Sequence, residues 1–401
     1  MKNRFDLLGV FKKHRGAVWV ALGMGIGEAL GAIMWMVLAL LLVPGEYGYV
    51  SYLISMAMLA SFITPFGLTI TITTYYPKER KKRLIGESYF FALLTSFGAA
   101  VILTGLGWLL SSPLDGALTG LIVICISLFW MATYTELGRR RYWDFMWVYI
   151  VAKSLGIFLS IGLYFMFGLP GVILGYSLAH LMPSLRPLGR PRISFRFGEI
   201  KKHLNFTYMA FGGEVAKGLI SWLDKVVIGI FFGAAMLGIY QISFQIFALI
   251  LFIPTTLFLY LLPEKSIRAE TKKIETIGIL LSAALALAAF AFAPILIPRI
   301  LPRFAESVVL IQIMAFAAIP AAIGGVEAAK LYAKEKSGAV LVSRILATLG
   351  GLISLIILGG YFGSVGLAAS MILLQTILAA TLYAFRRNIQ KITKHEGQRP
   401  K

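Results

Sequence analysis

The chain has 401 residues, of which 59% are hydrophobic and 14% are charged, and its mean hydropathy is +0.83. This composition excludes a soluble globular protein and predicts a membrane protein with many spans. The net charge of +20 does not indicate a nucleic-acid-binding protein, because the basic residues lie in short clusters between apolar segments, as in the cytoplasmic loops of membrane proteins.

Twelve apolar segments predict twelve membrane helices. They cover residues 16–43, 47–74, 85–110, 116–137, 145–167, 170–185, 204–232, 235–262, 274–297, 304–331, 338–359 and 364–386. The sixth segment is short and contains Pro183, which we expect to interrupt it. The first is too long for the apolar core of a signal peptide and no small-x-small site follows it, so we expect a membrane helix there.

The basic residues predict the orientation in the membrane. When the loops are assigned alternately to the two sides, 32 of the 38 Lys and Arg residues lie on one side and only Arg299 and Arg303 on the other. The positive-inside rule then places both termini and the basic loops in the cytoplasm, where segments such as 78–83 meet anionic lipids. The remaining four basic residues lie inside predicted spans, and they are Lys153, Lys217, Lys225 and Arg344.

The two halves of the chain resemble each other. Gly48 in a Tyr-Gly-Tyr turn corresponds to Gly238 in a Leu-Gly-Ile-Tyr turn, and Lys153 corresponds to Arg344. Because six spans return the chain to its starting side, the repeat is parallel, with a pseudo-two-fold axis along the membrane normal. We therefore predict an all-α polytopic protein with an N-terminal six-helix lobe (1–190), a cytoplasmic linker (191–203), a C-terminal six-helix lobe (204–386) and a basic tail (387–401).

The seventh predicted span carries a polar stripe formed by Glu214, Lys217, Asp224 and Lys225. On a helix that turns about 100° per residue, these four side chains and Ser221 fall within an arc of roughly 100°. Each charge costs about 3 kcal/mol on insertion scales, so it needs water or a partner. Two interpretations are open: a Glu214–Lys217 salt bridge that joins helices, or a helix that lines the cavity of a transporter.

Three further ionisable residues are candidates for the same cavity. Glu28 lies near the middle of the first span, where a carboxyl group suits a proton or sodium coupling site or forms a neutral hydrogen bond to a neighbour. Lys153 and Arg344 lie on the order of 10 Å deep from the cytoplasmic side. They either snorkel to the interface or join Lys217 and Lys225 as a cationic lining for a phosphate-bearing substrate. The candidate ion-coupling residues are Glu28, Glu214 and Asp224.

Cofactor and metal sites are not predicted. Cys125 is the single cysteine and the four histidines are scattered, so a metal centre is not expected. The glycine-rich sequence around Gly27 lies inside a span without a preceding strand, which argues against nucleotide binding. Five tryptophans are expected to be packing or interface residues rather than sugar platforms, and they are Trp35, Trp108, Trp130, Trp143 and Trp147.

Four short stretches carry a family resemblance, and they cover residues 44–49, 222–225, 233–240 and 263–266. Together they resemble the polysaccharide-biosynthesis (O-antigen-type oligosaccharide) flippases of the multidrug/oligosaccharidyl-lipid/polysaccharide exporter superfamily. The resemblance implies two six-helix lobes around a cleft that opens alternately to each side. It also implies transport of a polyprenyl-(di)phosphate-linked oligosaccharide, usually coupled to an ion gradient. Asp224 and Lys225 match the acid–base pair of that family in span seven.

Two other functions compete with a flippase. The first is a cation-coupled exporter of small molecules, either from the same superfamily or a twelve-span facilitator. The loop after span two lacks the sequence expected of such a facilitator. A membrane-embedded glycosyltransferase or polymerase generally needs a large external loop with acids or a metal pair. The predicted outer loops here are short and hold little beyond Glu46, Asp115, Arg299 and Arg303.

Overall fold

The computed structural model describes residues 15–109, 112–188, 194–266, 270–334 and 336–396, and within these ranges it is helical almost throughout and has no strand. This confirms the all-α prediction. The helices in chain order are α1 (Arg15–Leu41), α2 (Pro44–Ile63), α3 (Leu68–Glu79), α4 (Lys82–Leu109), α5 (Pro113–Gly138), α6 (Tyr142–Phe167), α7 (Leu169–Leu188), α8 (Gly198–Lys202), α9 (Leu204–Ile250), α10 (Phe252–Ser266), α11 (Lys272–Ile300), α12 (Ser307–Ala315), α13 (Ala318–Tyr332) and α14 (Ser337–Glu396).

The helices are long and apolar enough for a multi-pass membrane protein. In the described ranges, eight helical segments can cross a membrane by length and composition, and the bent pair α2 and α3 would make a ninth. Two of the eight are the long helices α9 and α14, which have non-helical backbone at Gly233 and Gly363. Both glycines lie where the sequence predicts a boundary between two spans. The multi-pass prediction is confirmed, and the number twelve stays a prediction.

The helix at the sixth predicted span is continuous where the sequence predicts an interruption. The helix α7 runs without interruption through Pro183, so the predicted interruption was wrong. A proline removes one backbone hydrogen bond, and a helix tolerates this loss where packing holds it on either side. The residues one turn earlier, Ala179 and His180, are buried in the interior of the protein.

Contacts divide the chain into two compact units. Unit 1 contains the residues up to Leu41 together with Tyr49–Val226, and unit 2 contains Leu42–Gly48 together with the residues from Val227 onward. The division therefore falls inside α2 and inside α9. The predicted lobe boundaries at residues 190 and 204 stay a prediction.

In unit 2, the start of α2 crosses the part of α9 that follows Gly233. A Cβ atom on Gly48 would lie 1.7 Å from the carbonyl oxygen of Ala234, and a Cβ atom on Gly238 would lie 2.0 Å from that of Pro44. Gly48 and Gly238 are the repeat-equivalent pair, and Pro44 and Ala234 are separated by the same 190 residues. The contact is thus reciprocal, as a two-fold relation between repeated segments would make it.

A second pair of glycines also repeats its local geometry. Gly168 has φ 66° and ψ −143° between α6 and α7, and Gly363 has φ 57° and ψ −134° within α14. Each of these glycines is followed three residues later by another glycine that packs closely against backbone. A Cβ atom on Gly171 would lie 2.0 Å from the carbonyl oxygen of Leu163, and one on Gly366 would lie 1.9 Å from that of Leu358. Only glycine permits both the positive φ and these close approaches. The equal geometry supports the internal repeat that the sequence predicts.

A buried acid anchors the short helix α8 to unit 1. Glu87 is fully buried and accepts hydrogen bonds from the backbone N–H groups of Glu199 (2.8 Å) and Ile200 (3.2 Å). Its other oxygen lies 3.0 Å from Arg83. Because a carboxylate at the first turn of a helix satisfies free N–H groups and opposes the helix dipole, Glu87 fixes the start of α8.

Ion pairs also connect the loop between α3 and α4 to α8. Lys81 lies 2.8 Å from Glu79 and 3.1 Å from Glu199, and Lys202 lies 2.8 Å from Glu199. Hydrogen bonds from Lys202 and Lys81 hold the pKa of the Glu199 carboxyl below its usual value. These ion pairs connect the segment after residue 193 to the basic loop at residues 78–83.

Unit 2 contains a comparable ionic network. Glu275 lies 2.6 Å from Lys265 and 2.9 Å from Lys330. Lys330 also lies 3.1 Å from Glu327, which pairs in turn with Arg386. The network connects the end of α10, the start of α11, the end of α13 and the C-terminal part of α14. From the sequence alone, its basic residues are explained only as signals of membrane orientation.

Candidate functional site

The candidate site begins at a break in the second predicted span. The helices α2 and α3 are bent by 44° at residues 64–67. Pro65 lacks a backbone N–H group, and both Phe66 (φ 50°) and Gly67 (φ 73°) have left-handed backbone. Irregular backbone at membrane depth is tolerated only where protein buries it or where it lines a cavity.

Side chains of neighbouring helices satisfy the polar groups at this break. The hydroxyl of Thr95 on α4 donates to the carbonyl oxygen of Thr64 (2.5 Å). The hydroxyl of Thr64 forms a 2.6 Å hydrogen bond with that of Ser127 on α5. The break is therefore a stable part of unit 1, because its free backbone carbonyl has a specific partner.

The first half of α9 packs directly against the break. A Cβ atom on Gly67 would lie 2.6 Å from the backbone nitrogen of Phe211, so glycine is required for this approach. The hydroxyls of Thr71 and Thr207 are 2.9 Å apart, and the rings of Phe66 and Phe211 are stacked with centroids 4.4 Å apart. These contacts fix the helix that carries the polar stripe.

A small cavity lies where α2, α5 and α9 meet in unit 1. Its lining combines three aromatic residues, two ionisable residues and the backbone of the break, and it consists of Ser61, Phe62, Pro65, Gly67, Thr69, Trp130, Tyr134, Glu214 and Lys217. The space open to a water-sized molecule is about 20 Å³, enough for a single water. Both residues from the first half of the polar stripe thus line one cavity.

Glu214 and Lys217 do not form the salt bridge that the sequence left open. Among the described residues neither takes part in an ion pair, and the Lys217 ammonium lies 5.6 Å from the centroid of the Phe62 ring. Glu214 interacts electrostatically with Tyr134. The buried Nε1 of Trp130 has no hydrogen-bond partner in the described part of the chain. The cavity is therefore lined by a carboxyl-bearing and an ammonium-bearing side chain, and the ring of Trp130 adds an aromatic surface.

The other two residues of the stripe form a separate pair. The Lys225 ammonium lies 3.2 Å from the Asp224 carboxylate and donates to the carbonyl oxygen of Ser221 (3.2 Å). Lys225 is only 2% exposed, and its ammonium lies 5.5 Å from the ring centroid of Trp222. Both residues of this pair lie on α9, and neither lines the cavity.

Glu28 and Lys153 both lie next to Tyr149. The Tyr149 hydroxyl donates to Glu28 Oε1 (2.8 Å), and the Lys153 ammonium lies 5.8 Å from the centroid of the Tyr149 ring. The sequence allowed two interpretations of Glu28, an ion-coupling site or a carboxyl group that is hydrogen-bonded to a neighbour. The contact with Tyr149 provides such a neighbour. A buried histidine, His180, lies on the next helix and hydrogen-bonds to the carbonyl oxygen of Tyr176 through Nδ1 (2.8 Å).

Arg344 belongs to α14 in unit 2, whereas the other candidates belong to unit 1. Its side chain is exposed and takes part in no ion pair among the described residues. Unit 1 holds the remaining cations at three different places: Lys217 in the cavity, Lys225 in its pair and Lys153 beside Tyr149. In the described ranges no group of three His, Cys, Asp or Glu residues is arranged to hold a metal.

Sequence reasoning missed the aromatic lining. Trp130 and Tyr134 are one helical turn apart on α5, and Phe62 contacts Gly218 of α9, where a Cβ atom would lie 2.9 Å from the ring. We expected Trp130 to be a packing or interface residue, and it also lines the cavity. The spacing of Trp130 and Tyr134 was the available signal, but an aromatic pair on an apolar helix does not reveal which neighbour it faces.

An all-helical multi-pass chain with a broken span beside a cavity that holds ionisable side chains has the architecture of a membrane transporter. The family model described as polysaccharide biosynthesis protein matches residues 37–259, which is more than half of the chain. The chain belongs to this family, and the resemblance inferred from the sequence is confirmed.

Solved structures of membrane transporters share the fold. The lipid II flippase MurJ in an inward closed conformation is 10% identical, with a TM-score of 0.77 over 92% of this chain and 87% of that one. An inward-facing multidrug resistance MATE family transporter of the MOP superfamily is 14% identical, with a TM-score of 0.63 over 94% and 96%. The eukaryotic MATE transporter AtDTX14 is 12% identical, with a TM-score of 0.56 over 92% and 95%. No curated protein matches the sequence.

Proposed function

We propose that the protein is a flippase that moves a polyprenyl-(di)phosphate-linked oligosaccharide across the cytoplasmic membrane by alternating access. One observation carries this proposal: in a member of a polysaccharide biosynthesis family, Glu214 and Lys217 line a cavity at membrane depth without forming an ion pair. Uncompensated charges inside a membrane protein are costly, and they are typical of substrate and ion pathways.

The proposed roles follow from the chemistry of the substrate. The polyprenyl chain stays in the bilayer while the polar head group crosses, so the protein has to compensate only the phosphate and the sugar. Lys217 is the cation best placed to contact a phosphate, and Lys153, Lys225 and Arg344 are further candidates along the path. Trp130 and Tyr134 add aromatic surface to the cavity that Lys217 lines.

We assign the coupling ion, H⁺ or Na⁺, to the acidic residues. Glu28 is the first candidate because its carboxyl already shares a hydrogen bond with Tyr149, which a change of protonation would alter. Glu214 is the second, because it would link ion binding directly to the cavity that holds Lys217. Asp224 is the third and would act through its pair with Lys225.

The proposed orientation places both termini and the basic loops in the cytoplasm. The support is the charge distribution, with nearly all basic residues outside the spans on one side. Anionic lipids of the cytoplasmic leaflet would contact the basic segment at residues 78–83. The two predicted six-helix lobes would open the path alternately to the two sides.

Reconstitution tests this function directly. Purified protein in vesicles should move a fluorescent polyprenyl-diphosphate-linked oligosaccharide from the inner to the outer leaflet, and a quencher that cannot cross the membrane would report the fraction exposed. We expect translocation well above that of protein-free vesicles. Translocation at the protein-free rate in vesicles that support a known flippase would contradict the proposal.

A second candidate function is a cation-coupled exporter of small molecules, which the likeness to MATE transporters favours. The same vesicles would then take up cationic drugs in response to a proton or sodium gradient and would leave the lipid-linked sugar in place. Sugar transfer by the purified protein would instead identify a membrane-embedded enzyme.

A further inference from the structure

A second cavity in unit 1 has a different character. It lies where the start of α1 meets the loop between α5 and α6, and its volume is about 360 Å³. Its lining combines basic and aromatic residues and consists of Gly16, Trp19, Arg140, Arg141, Tyr142, Trp143 and Asp144. None of these residues has a role in the proposed transport cycle.

Three consecutive arginines in this loop have different environments. Arg139 is mostly buried and donates to Glu136 (2.9 Å), which makes it a structural residue. Arg140 and Arg141 are exposed, line the cavity and take part in no ion pair among the described residues. Two neighbouring guanidinium groups without an acidic partner can bind a phosphate through paired N–H donors.

The backbone holds these two arginines in a defined turn. Arg140 has a φ of 58°, a left-handed conformation that residues other than glycine seldom adopt. The turn is fixed by backbone hydrogen bonds from Arg140 to Leu137 (3.0 Å) and from Arg141 to Glu136 (2.9 Å). These two hydrogen bonds form the Schellman motif that ends many helices, so the positive φ of Arg140 belongs to the end of α5 and holds both arginines in one fixed turn.

The aromatic residues place the cavity at the level of lipid head groups. The rings of Trp19 and Trp143 meet edge to face with centroids 4.6 Å apart, and Trp143 and Trp147 are 5.7 Å apart. Trp143 is 48% exposed and Trp147 is 42% exposed, although both lie on a membrane-spanning helix. Exposed indoles at the end of a span are typical of the membrane–water interface.

We infer that this cavity binds the phosphate of an anionic membrane lipid of the phosphatidylglycerol type, with Arg140 and Arg141 on the phosphate and Trp143 and Trp147 along the glycerol and upper acyl chains. Asp144 also lines the cavity, but it has an interaction of its own, and the lining keeps a net positive charge. The chain before Gly16 is strongly basic, so it does not complement the two arginines. The inference does not depend on which substrate the protein transports.

The test measures lipid binding by the purified full-length protein. Native mass spectrometry should show phosphatidylglycerol bound to the wild type and much less phosphatidylcholine or phosphatidylethanolamine. The variant Arg140→Gln/Arg141→Gln should bind phosphatidylglycerol on the order of tenfold more weakly, because both phosphate contacts are lost. The matched control Lys272→Gln/Lys273→Gln removes two consecutive exposed basic residues from α11 in unit 2 and should bind like the wild type.

Several results would overturn the inference. They are equal losses in the two double variants, wild-type binding by Arg140→Gln/Arg141→Gln, equal binding of phosphatidylethanolamine, or displacement of the lipid by millimolar inorganic phosphate. If the glutamine variant does not fold, Arg140→Lys/Arg141→Lys replaces it. That variant keeps the charge and loses the paired donors of guanidinium, so its affinity should still fall several-fold, and wild-type affinity would contradict the inference.

Discussion

Replacing Gly48 or Gly238 by alanine is expected to prevent the accumulation of folded protein. A Cβ atom at Gly48 would lie 1.7 Å from a backbone oxygen of Ala234, and no side-chain rotation can relieve a clash with backbone. The two crossing segments would have to separate, and we expect a cost of more than about 3 kcal/mol from overpacking of this kind. Yield of monodisperse protein and its melting temperature measure the effect.

The chain offers a matched control one turn earlier on the same helix. Gly45 has nothing within 4 Å of its Cβ position, so Gly45→Ala should fold like the wild type. Because the contact is reciprocal, Gly238→Ala should be as harmful as Gly48→Ala. Equal melting temperatures for Gly45→Ala and Gly48→Ala would show that the two helices do not cross at this distance.

Replacing Lys217 by alanine is expected to reduce translocation of the lipid-linked oligosaccharide by about tenfold or more, since a charge-assisted hydrogen bond to phosphate contributes about 1.5–3 kcal/mol. The protein should still fold, because Lys217 is exposed and takes part in no ion pair among the described residues. The double variant Lys217→Ala/Arg344→Ala should abolish translocation. The rate in reconstituted vesicles, normalised to incorporated protein, is the measurement.

Lys273→Ala is the matched control, because it removes an exposed lysine from the start of α11, far along the chain from the stripe. It should flip the substrate at the wild-type rate. Normal flipping by Lys217→Ala/Arg344→Ala would remove the cationic lining from the mechanism, even if the wild type proves to be a flippase.

Hydropathy was sufficient to predict an all-helical multi-pass chain, because the bilayer leaves few alternatives to an apolar helix. Two prolines show that hydropathy does not predict where a membrane helix breaks. Pro65 lies at a break in the helix, whereas Pro183 lies inside one. The difference comes from tertiary contacts, since Thr95 satisfies the carbonyl oxygen of Thr64 at the first proline. A single sequence does not reveal these contacts.

The candidate site was predicted in part. The stripe on α9 pointed to Glu214 and Lys217, which line the cavity in the structure, and their functional roles stay a prediction. The same pattern allowed a salt bridge between these two residues, and the structure instead pairs Asp224 with Lys225. The buried acid Glu87 was not predicted at all. It lies next to a basic cluster, where an acidic residue looks like one more exposed side chain until its partners on α8 are known.

Accessibility to water at position 217 tests the central claim most directly. Cys125 is buried, so a single introduced cysteine can be labelled with a charged thiol reagent that cannot cross the membrane. We expect Leu219, about 200° around the same helix, to face lipid, so we predict that Lys217→Cys reacts and that Leu219→Cys does not. Labelling of position 219 with protection of position 217 would place the charges of α9 away from water and would contradict the account.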